Sequence, residues 1–252
     1  MVASYHRLVH TNPDDDDGES ALAAQGCVVT IRRIIDSVSK NAELIKKIEE
    51  ISLPMFMFGL TPDGMDSIED ALDCITMILY HGNHVSERMW KVYPQLLYLV
   101  CGDDKDPDGG YGFEYISQIG VALQNFISKD PETFLKVDEG QTQTYIAMTF
   151  RFVDRALMIN VTSEHMLDGI CVMKVLIAML ENLGNGRINE ALPLILKVCT
   201  DQLNLGLKKV PKNYISMVVQ TICMCFWYNA QLTFQILDQS MGQTIPVFQK
   251  LL

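Results

Sequence analysis

The sequence has few basic residues for its length, and this shortage excludes one class of protein. Its 252 residues hold 20 Lys and Arg against 31 Asp and Glu, which gives a formal net charge of −11. Neutralising a phosphate backbone needs clustered Lys and Arg, so this balance argues against direct binding to nucleic acid. An acidic surface instead suits basic partners, which it attracts over long distances.

Long uninterrupted apolar runs and paired cysteines are also missing. The longest apolar tract, Met217 to Phe234, carries interspersed polar residues, which favours a buried helix over a membrane span. The stretch "MVASYHRLVHTNPDDDDG" lacks the apolar core of a signal peptide. The seven cysteines are odd in number and have no disulfide spacing, which is typical of a reducing compartment. These features predict a soluble intracellular protein with no membrane insertion.

Alternating patterns of the kind that form strands are nearly absent, whereas apolar residues recur at helical spacing along most of the chain. Ile68, Ala71, Leu72 and Ile75, for example, fall on one helical face. The connecting stretches are short, so successive helices are expected to be antiparallel neighbours. The pattern predicts about ten helices, at residues 27–39, 42–59, 67–80, 86–101, 113–128, 142–158, 164–183, 188–204, 213–238 and 243–252.

Proline recurs inside the predicted apolar helices, at Pro54, Pro94, Pro193 and Pro246. A proline inside a helix removes a backbone hydrogen bond and kinks the helix. Four prolines in alternate helices indicate a device that curves the first helix of each pair. The spacing of these first helices suits helix-pair repeats of HEAT type, which stack on one another because each pair hides only part of its apolar face. We therefore predict an all-α solenoid of antiparallel HEAT-type pairs in a right-handed superhelical arch.

The whole chain, 1–252, is predicted to be one HEAT-repeat segment of a longer solenoid. The C-terminal sequence "IPVFQKLL" has no polar cap or helix terminator, which leads us to expect further repeats and self-association through exposed solenoid ends. Residues 11–20 are too charged to fold alone and are expected to form a mobile acidic loop. Residues 102–112 are expected to form an acidic turn between two helices.

The second acidic stretch has a possible alternative role as a calcium loop. Asp104, Asp106 and Asp108 occupy positions 1, 3 and 5 of an EF-hand loop, and Gly109 falls on position 6. Position 12 should be a Glu whose two oxygens close the cage, but it is Tyr115 here. The acidic inter-helix turn is therefore strongly favoured, and no metal site is predicted.

Other possible chemical sites are weaker than their structural explanations. His81 and His84 have no third ligand at a plausible spacing, and Gly82 separates them. The scattered cysteines fit buried small hydrophobes, and "GNGR" lacks the strand that precedes a phosphate-binding loop. The acids from Asp63 to Asp70 fit the first turn of a helix, where the helix dipole favours them. The sequence therefore predicts no catalytic residue and no cofactor.

Several stretches resemble a known family. "SERMWKVYPQLLYLV", the acidic turn and "YGFEYISQIGVALQNFIS" resemble the importin-β (karyopherin) family, in the repeats of the C-terminal half of its importin seven and importin eight type. "INEALPLILKVCTDQL" and "ICMCFWYNAQLTFQILDQ" resemble a later repeat, in which Tyr-Asn ends an apolar stretch. The likeness covers roughly residues 40–240. It implies that "GYGFEY" joins two HEAT helices and that its aromatic side chains pack back onto the pair.

The resemblance implies a nuclear import receptor that shuttles between cytoplasm and nucleus and carries basic protein cargo. It implies that Ran-GTP controls cargo release through N-terminal repeats outside this chain, and that grooves between first helices receive Phe-Gly nucleoporins. The two acidic stretches are the candidate cargo-binding residues: Asp14, Asp15, Asp16, Asp17, Glu19, Asp103, Asp104, Asp106 and Asp108. The alternative is a HEAT-repeat scaffold or adaptor without a transport role, and a helical enzyme is a more distant one.

Overall fold

The computed structural model describes residues 2–9, 19–102, 110–136, 143–158, 164–205 and 211–240, and within these ranges every regular element is helical. The helices divide into two compact units, residues 1–130 and 131–252. The predicted all-α class is confirmed, and within each unit the helices pack on one another as expected for a solenoid. The predicted helix at 243–252 and Pro246 lie outside the described residues.

The first unit begins with a helix that the sequence pattern did not predict, α1 (Val2–Leu8). It continues through α2 (Glu19–Ser37), α3 (Ala42–Gly59), a 3₁₀ turn (Pro62–Ser67), α4 (Ile68–His81), α5 (Glu87–Trp90) and α6 (Val92–Cys101). A second 3₁₀ turn (Phe113–Tyr115) leads into α7 (Ile116–Lys129). Among the described residues, α1 packs on α2, α3 on α4 and α6 on α7, and α4 contacts both α2 and α7. Consecutive second helices therefore stack, as expected for helix-pair repeats.

The second unit contains α8 (Pro131–Phe134), α9 (Tyr145–Met158), α10 (Met166–Asn182), α11 (Leu192–Asn204) and α12 (Lys212–Gln235), which ends in a π-helical turn (Ile236–Ser240). Helix α9 packs on α10 and α11 packs on α12, and the second helices α10 and α12 make extensive mutual contact. The core of this unit lies between these two helices, where Val172, Leu176, Met179 and Val218 are fully buried. Among the described helices of the chain, none is both long and apolar enough to cross a bilayer.

The three described prolines affect their helices in different ways. Pro54 does lie inside α3. Pro94 lies in the first turn of α6. The helix is interrupted at Lys91 because Pro94 has no N–H to bond to the carbonyl of Trp90. Pro193 lies at the start of α11, where an N–H would have no partner within the helix. The predicted helix 86–101 is therefore two helices, α5 and α6, and the predicted helix 188–204 is wrong in its first turn.

Helix α12 is also interrupted, although the pattern predicted one continuous helix. Asn229 has an extended backbone (φ −157°, ψ 88°) inside α12. Its side-chain oxygen accepts a hydrogen bond from the Leu232 N–H at 3.1 Å, which caps the segment after the kink. The Thr233 hydroxyl donates to the Cys225 carbonyl at 2.9 Å and replaces a helical bond that the kink removes. The Tyr-Asn pair noted in the sequence is thus the position of the kink.

Candidate functional site

The acidic residues predicted to bind cargo lie almost entirely outside the described residues. The residues outside the description are Asp14 to Asp17, Asp103, Asp104, Asp106 and Asp108. Most of the residues considered as a calcium loop also lie there. Glu19 is described: it is the exposed first residue of α2, where the helix dipole stabilises a negative charge. The cargo-binding assignment therefore stays a prediction.

The aromatic stretch after the acidic turn packs back onto the helix pair, as the resemblance implied. The Tyr111 hydroxyl donates to the Leu60 carbonyl at 2.7 Å, and its ring lies against that of Tyr98 with centroids 6.3 Å apart. Burial raises the pKa of Tyr111 to about 12, with smaller contributions from Tyr98 and Asp63. A Cβ at Gly112 would lie 2.7 Å from the Leu99 Cβ, so this position requires glycine. The turn is a structural join.

The Met-Trp motif forms a closed aromatic core in the first unit. The ring of Trp90 lies 5.6 Å from that of Tyr93 and 4.9 Å from that of Phe126, and we call these three residues the Trp90 cluster. The indole N–H donates to Asp130 Oδ2 at 2.9 Å, so the polar edge of the ring also has a partner. Trp90 is 5% exposed. This motif therefore contributes to folding and presents little surface to a ligand.

Among the positions considered for metal or thiol chemistry, most cysteines that the structure describes are buried as predicted, but Cys223 is exposed. No group of three or more His, Cys, Asp or Glu side chains there could hold a metal ion. Cys74, Cys199 and Cys225 are buried, and burial is the largest cause that raises the pKa of each thiol, to about 12 for Cys74 and Cys225. Such thiols stay protonated and unreactive near neutral pH.

An open groove in the second unit is the best candidate for a binding site. The groove has a volume of about 390 Å³ and lies between α9 and α11, the first helices of two consecutive pairs. One wall is the α9 face of Phe150, Asp154, Leu157 and Met158, which are brought together by helical spacing. Phe150 is buried at the base, whereas Met158 is 74% exposed.

The opposite wall is a face of α11, lined by Leu194, Lys197, Val198, Asp201 and Gln202. Together with the four residues of α9 these define the α9–α11 groove. Leu194 is 49% exposed, so apolar side chains from both helices are open to solvent. Gln202 is buried and accepts a hydrogen bond from the Tyr214 hydroxyl at 3.0 Å, which anchors this wall to α12. The groove therefore has a fixed base and an accessible apolar surface.

The charges of the α9–α11 groove are acidic on balance. Lys197 Nζ lies 2.8 Å from Asp201 Oδ2, and both side chains are exposed. The hydrogen bond and charge of Asp201 raise the pKa of Lys197, and Asp154 adds to the effect. Among the lining residues, two carboxylates and one ammonium leave one negative charge in excess, and the Arg155 guanidinium lies near the Met158 end of the groove. A ligand with an apolar anchor and a positive charge near Asp154 and Asp201 would complement this arrangement.

Sequence reasoning did not identify the α9–α11 groove. Its apolar members, Leu157, Met158 and Leu194, lie beside the buried stripes of their helices and look like ordinary helix positions. One signal was present: Met158 and Leu194 are large apolar residues outside the core stripe, one helical turn from charged residues. Exposed apolar positions of this kind mark interaction surfaces when they cluster.

Two curated proteins are similar to this chain over nearly all of its length. A protein from Dictyostelium discoideum named probable importin-7 homolog is 24% identical over 252 residues, which covers 98% of this chain. A protein from Arabidopsis thaliana named importin beta-like SAD2 homolog is 26% identical over 250 residues and also covers 98%. The predicted resemblance to the importin-β family is confirmed.

The importin-like chain spans about a fifth of the length of these curated relatives, 22% in each case. No family model matches the chain. No solved structure matches it either. The likeness to importins therefore rests on sequence along the full chain and agrees with the all-α helix pairs.

Proposed function

We propose that this chain is a segment of a nuclear import receptor that carries basic protein cargo between cytoplasm and nucleus. The observation that supports this function most strongly is the continuous similarity to two importin-type proteins over 98% of the chain. The stacked helix pairs are compatible with it, since such repeats offer long surfaces for protein partners. Ran-GTP control of release is expected to act through the N-terminal repeats of the whole receptor.

The whole chain, 1–252, is on this proposal one HEAT-repeat segment, whose two compact units are successive sets of helix pairs. The acidic stretches around Asp14–Asp17 with Glu19, and Asp103–Asp108, would attract the basic cargo through long-range electrostatics. The formal net charge of −11 favours the same partners. Binding of this kind weakens steeply as salt screens the charges.

The α9–α11 groove is proposed to receive the phenylalanine side chain of a Phe-Gly nucleoporin repeat. The groove lies between two first helices, the location that the family resemblance implies for these partners. Its volume of about 390 Å³ and exposed apolar walls suit a small apolar anchor on a flexible segment. The Phe side chain would lie over Phe150, with Met158 and Leu194 on either side.

The cargo role is tested with the 252-residue chain and an immobilised histone tail peptide as basic probe. Retention at low salt that disappears at high salt is the expected result. A matched variant changes Glu19 and Asp14–Asp17 to Gln and Asn, and we expect it to be retained several-fold less. If the unmodified chain is not retained at any salt, the cargo role is wrong and the scaffold alternative gains support.

The groove role is tested with a synthetic Phe-Gly peptide and the double variant Met158→Ser, Leu194→Ser. Loss of these two apolar side chains, one from each wall, should weaken binding of the Phe-Gly peptide by about tenfold or more. Trp227→Ser is the control, because Trp227 is 68% exposed on α12 and does not line the groove. Equal loss of affinity in both variants would show that the groove is not the binding site.

A further inference from the structure

Met158 is placed where a chemical change would alter the α9–α11 groove. It is the last residue of α9, lines the groove, and is 74% exposed. Its thioether is therefore open to small oxidants in solution. The buried methionines of the same unit, Met173 and Met179, are 0% exposed and serve as internal references.

A guanidinium group already contacts the sulfur of Met158. Arg155 Nη1 lies 3.7 Å from Met158 Sδ, one helical turn away on α9. A thioether sulfur is a weak acceptor, whereas the oxygen of a sulfoxide is a strong one. The same donor can therefore bind the oxidised side chain more tightly than the reduced one. It can also stabilise the negative charge that develops on oxygen during the reaction.

We propose that Met158 is a reversible oxidation site whose sulfoxide is held by Arg155 and lowers the affinity of the α9–α11 groove for apolar anchors. A lone pair of the sulfur attacks one oxygen of hydrogen peroxide, the O–O bond breaks and an S–O bond forms. Proton transfer converts the departing hydroxide to water. The sulfur loses two electrons and the peroxide gains them, and a thiol-dependent methionine sulfoxide reductase reverses the change.

The effect on binding rests on the proposed function of the groove. The oxide replaces an apolar wall beside Leu157 and Leu194 with a strongly polar group. A Phe side chain in the groove would lose apolar contact and would have to displace water from that oxygen. We expect the affinity for a Phe-Gly peptide to fall by about fivefold to tenfold.

The oxidation site is tested without any ligand, by treating the 252-residue chain with dilute hydrogen peroxide and following each methionine by peptide mass spectrometry. Met158 should be oxidised at least about threefold faster than Met65, which is 38% exposed in the first unit. Met173 and Met179 should stay reduced. Equal rates at Met158 and Met65 would overturn the assignment.

Arg155→Lys distinguishes a site built by the guanidinium from simple exposure. This variant should slow oxidation of Met158 by about threefold while Met65 is unaffected, because a planar donor near the sulfur is lost. An unchanged rate would remove the role of Arg155. Circular dichroism identifies a variant that has lost its fold; in that case, Arg155→Gln replaces it in the same rate measurement.

The effect on binding is tested by measuring the affinity for a Phe-Gly peptide before oxidation, after oxidation, and after reductase treatment. The affinity should fall and then recover, whereas the affinity of the Met158→Leu variant, compared with its own untreated sample, should not change with peroxide. If Met158→Leu is weakened by peroxide as much as the unchanged chain, Met158 is not the switch. If the reduced chain binds no peptide, the groove function fails along with this regulation, whereas the oxidation rates still decide whether Met158 is the reactive site.

Discussion

The Trp90 cluster and the α9–α11 groove show two uses of the space beside a first helix. In the first unit, the rings of Trp90, Tyr93 and Phe126 pack against one another, and Asp130 satisfies the indole N–H. In the second unit, the space between α9 and α11 stays open, with Met158 and Leu194 at its edges. The aromatic side chains fill the space between the two helices of one pair, whereas Met158 and Leu194 leave the space between two first helices accessible.

The difference teaches that a distinctive motif is not necessarily a functional one. Met89-Trp90 is the most recognisable part of the sequence, yet Met89 is 0% exposed and Trp90 is 5% exposed. The groove carries no distinctive motif and offers more accessible apolar surface. Four predictions, from the largest expected effect to the smallest, test this contrast between a buried core that provides stability and an open groove that provides binding surface.

The largest effect is expected from Trp90→Ala. Removing a buried aromatic side chain leaves a cavity, and such changes lower the free energy of unfolding by about 3–5 kcal/mol. Urea denaturation followed by circular dichroism measures this change. Trp227→Ala is the matched control, since Trp227 is 68% exposed, and it should change the free energy by less than about 1 kcal/mol. Similar losses at both positions would contradict the distinction between a filled core and an exposed surface.

A loss of stability at alkaline pH is expected next. Burial raises the pKa of Cys74, in the first unit, and of Cys225, in the second, to about 12. A thiol has a pKa of about 8.5–9 in the unfolded chain. Because folding raises this pKa, the buried thiol contributes its full stabilisation below about pH 8.5–9. It loses that contribution as the pH rises toward the folded pKa of about 12. Each thiol should cost about 1 kcal/mol of stability per pH unit above pH 9.

Thermal unfolding between pH 8 and 10.5 measures this loss. The single variants Cys74→Ala and Cys225→Ala, each compared with itself at pH 8, should both show a shallower decline than the unchanged chain. A shallower decline in only one variant would show which of the two units limits stability at high pH. Identical slopes in all three proteins would rule out the thiols as the cause.

A smaller effect is expected when the ion pair between α2 and α4 is broken. Arg32 Nη1 lies 3.0 Å from Asp70 Oδ1 and 2.9 Å from Asp73 Oδ2, and the side chain of Asp70 is only 12% exposed. Arg32→Ala leaves the largely buried Asp70 without this partner and should cost about 1–3 kcal/mol, discounted for the partial exposure of Arg32. Lys197→Ala breaks an exposed pair in the groove, which solvent screens, and should cost much less than Arg32→Ala. Equal costs in urea denaturation would go against this ranking.

The smallest effect concerns the charge of the groove. Asp154→Asn removes the carboxylate in excess at the rim and should weaken binding of a lysine-flanked Phe-Gly peptide by about twofold to fivefold at low salt. The effect should vanish at high salt. Glu190→Gln, an exposed acid outside the groove, should leave the affinity unchanged. An effect of Asp154→Asn that persists at high salt would point to a structural change.

Helical periodicity in the sequence was sufficient to predict the all-α class and the positions of most helices. The faces of Ile68, Leu72 and Ile75 in α4 are buried as the pattern indicates. The errors occur where single residues compete with the pattern: Pro94 breaks the segment at Lys91, and Asn229 caps a new helical segment inside α12. An apolar stripe shows which face is buried but cannot reveal a break that leaves the stripe continuous.

The groove could not be predicted, because it depends on the separation of α9 and α11, which are adjacent in space but not consecutive in the chain. Met158 and Leu194 were visible as apolar residues outside the core stripe, but only their placement opposite each other gives them a common role. The acidic residues, in contrast, were conspicuous in composition. Asp14–Asp17 and Asp103–Asp108 lie outside the described residues, so their role stays a prediction.

Several hydrogen bonds between neighbouring elements have a main-chain carbonyl oxygen as the acceptor. Tyr111 bonds to the carbonyl of Leu60, and Lys129 donates to the carbonyls of Tyr80 and Gly82. Because every residue type has a main-chain carbonyl, the side chain at the accepting position can be replaced while the hydrogen bond remains. An architecture held by such hydrogen bonds tolerates substitution at the accepting positions, which agrees with the low identity of 24–26% to the two relatives along nearly the whole chain.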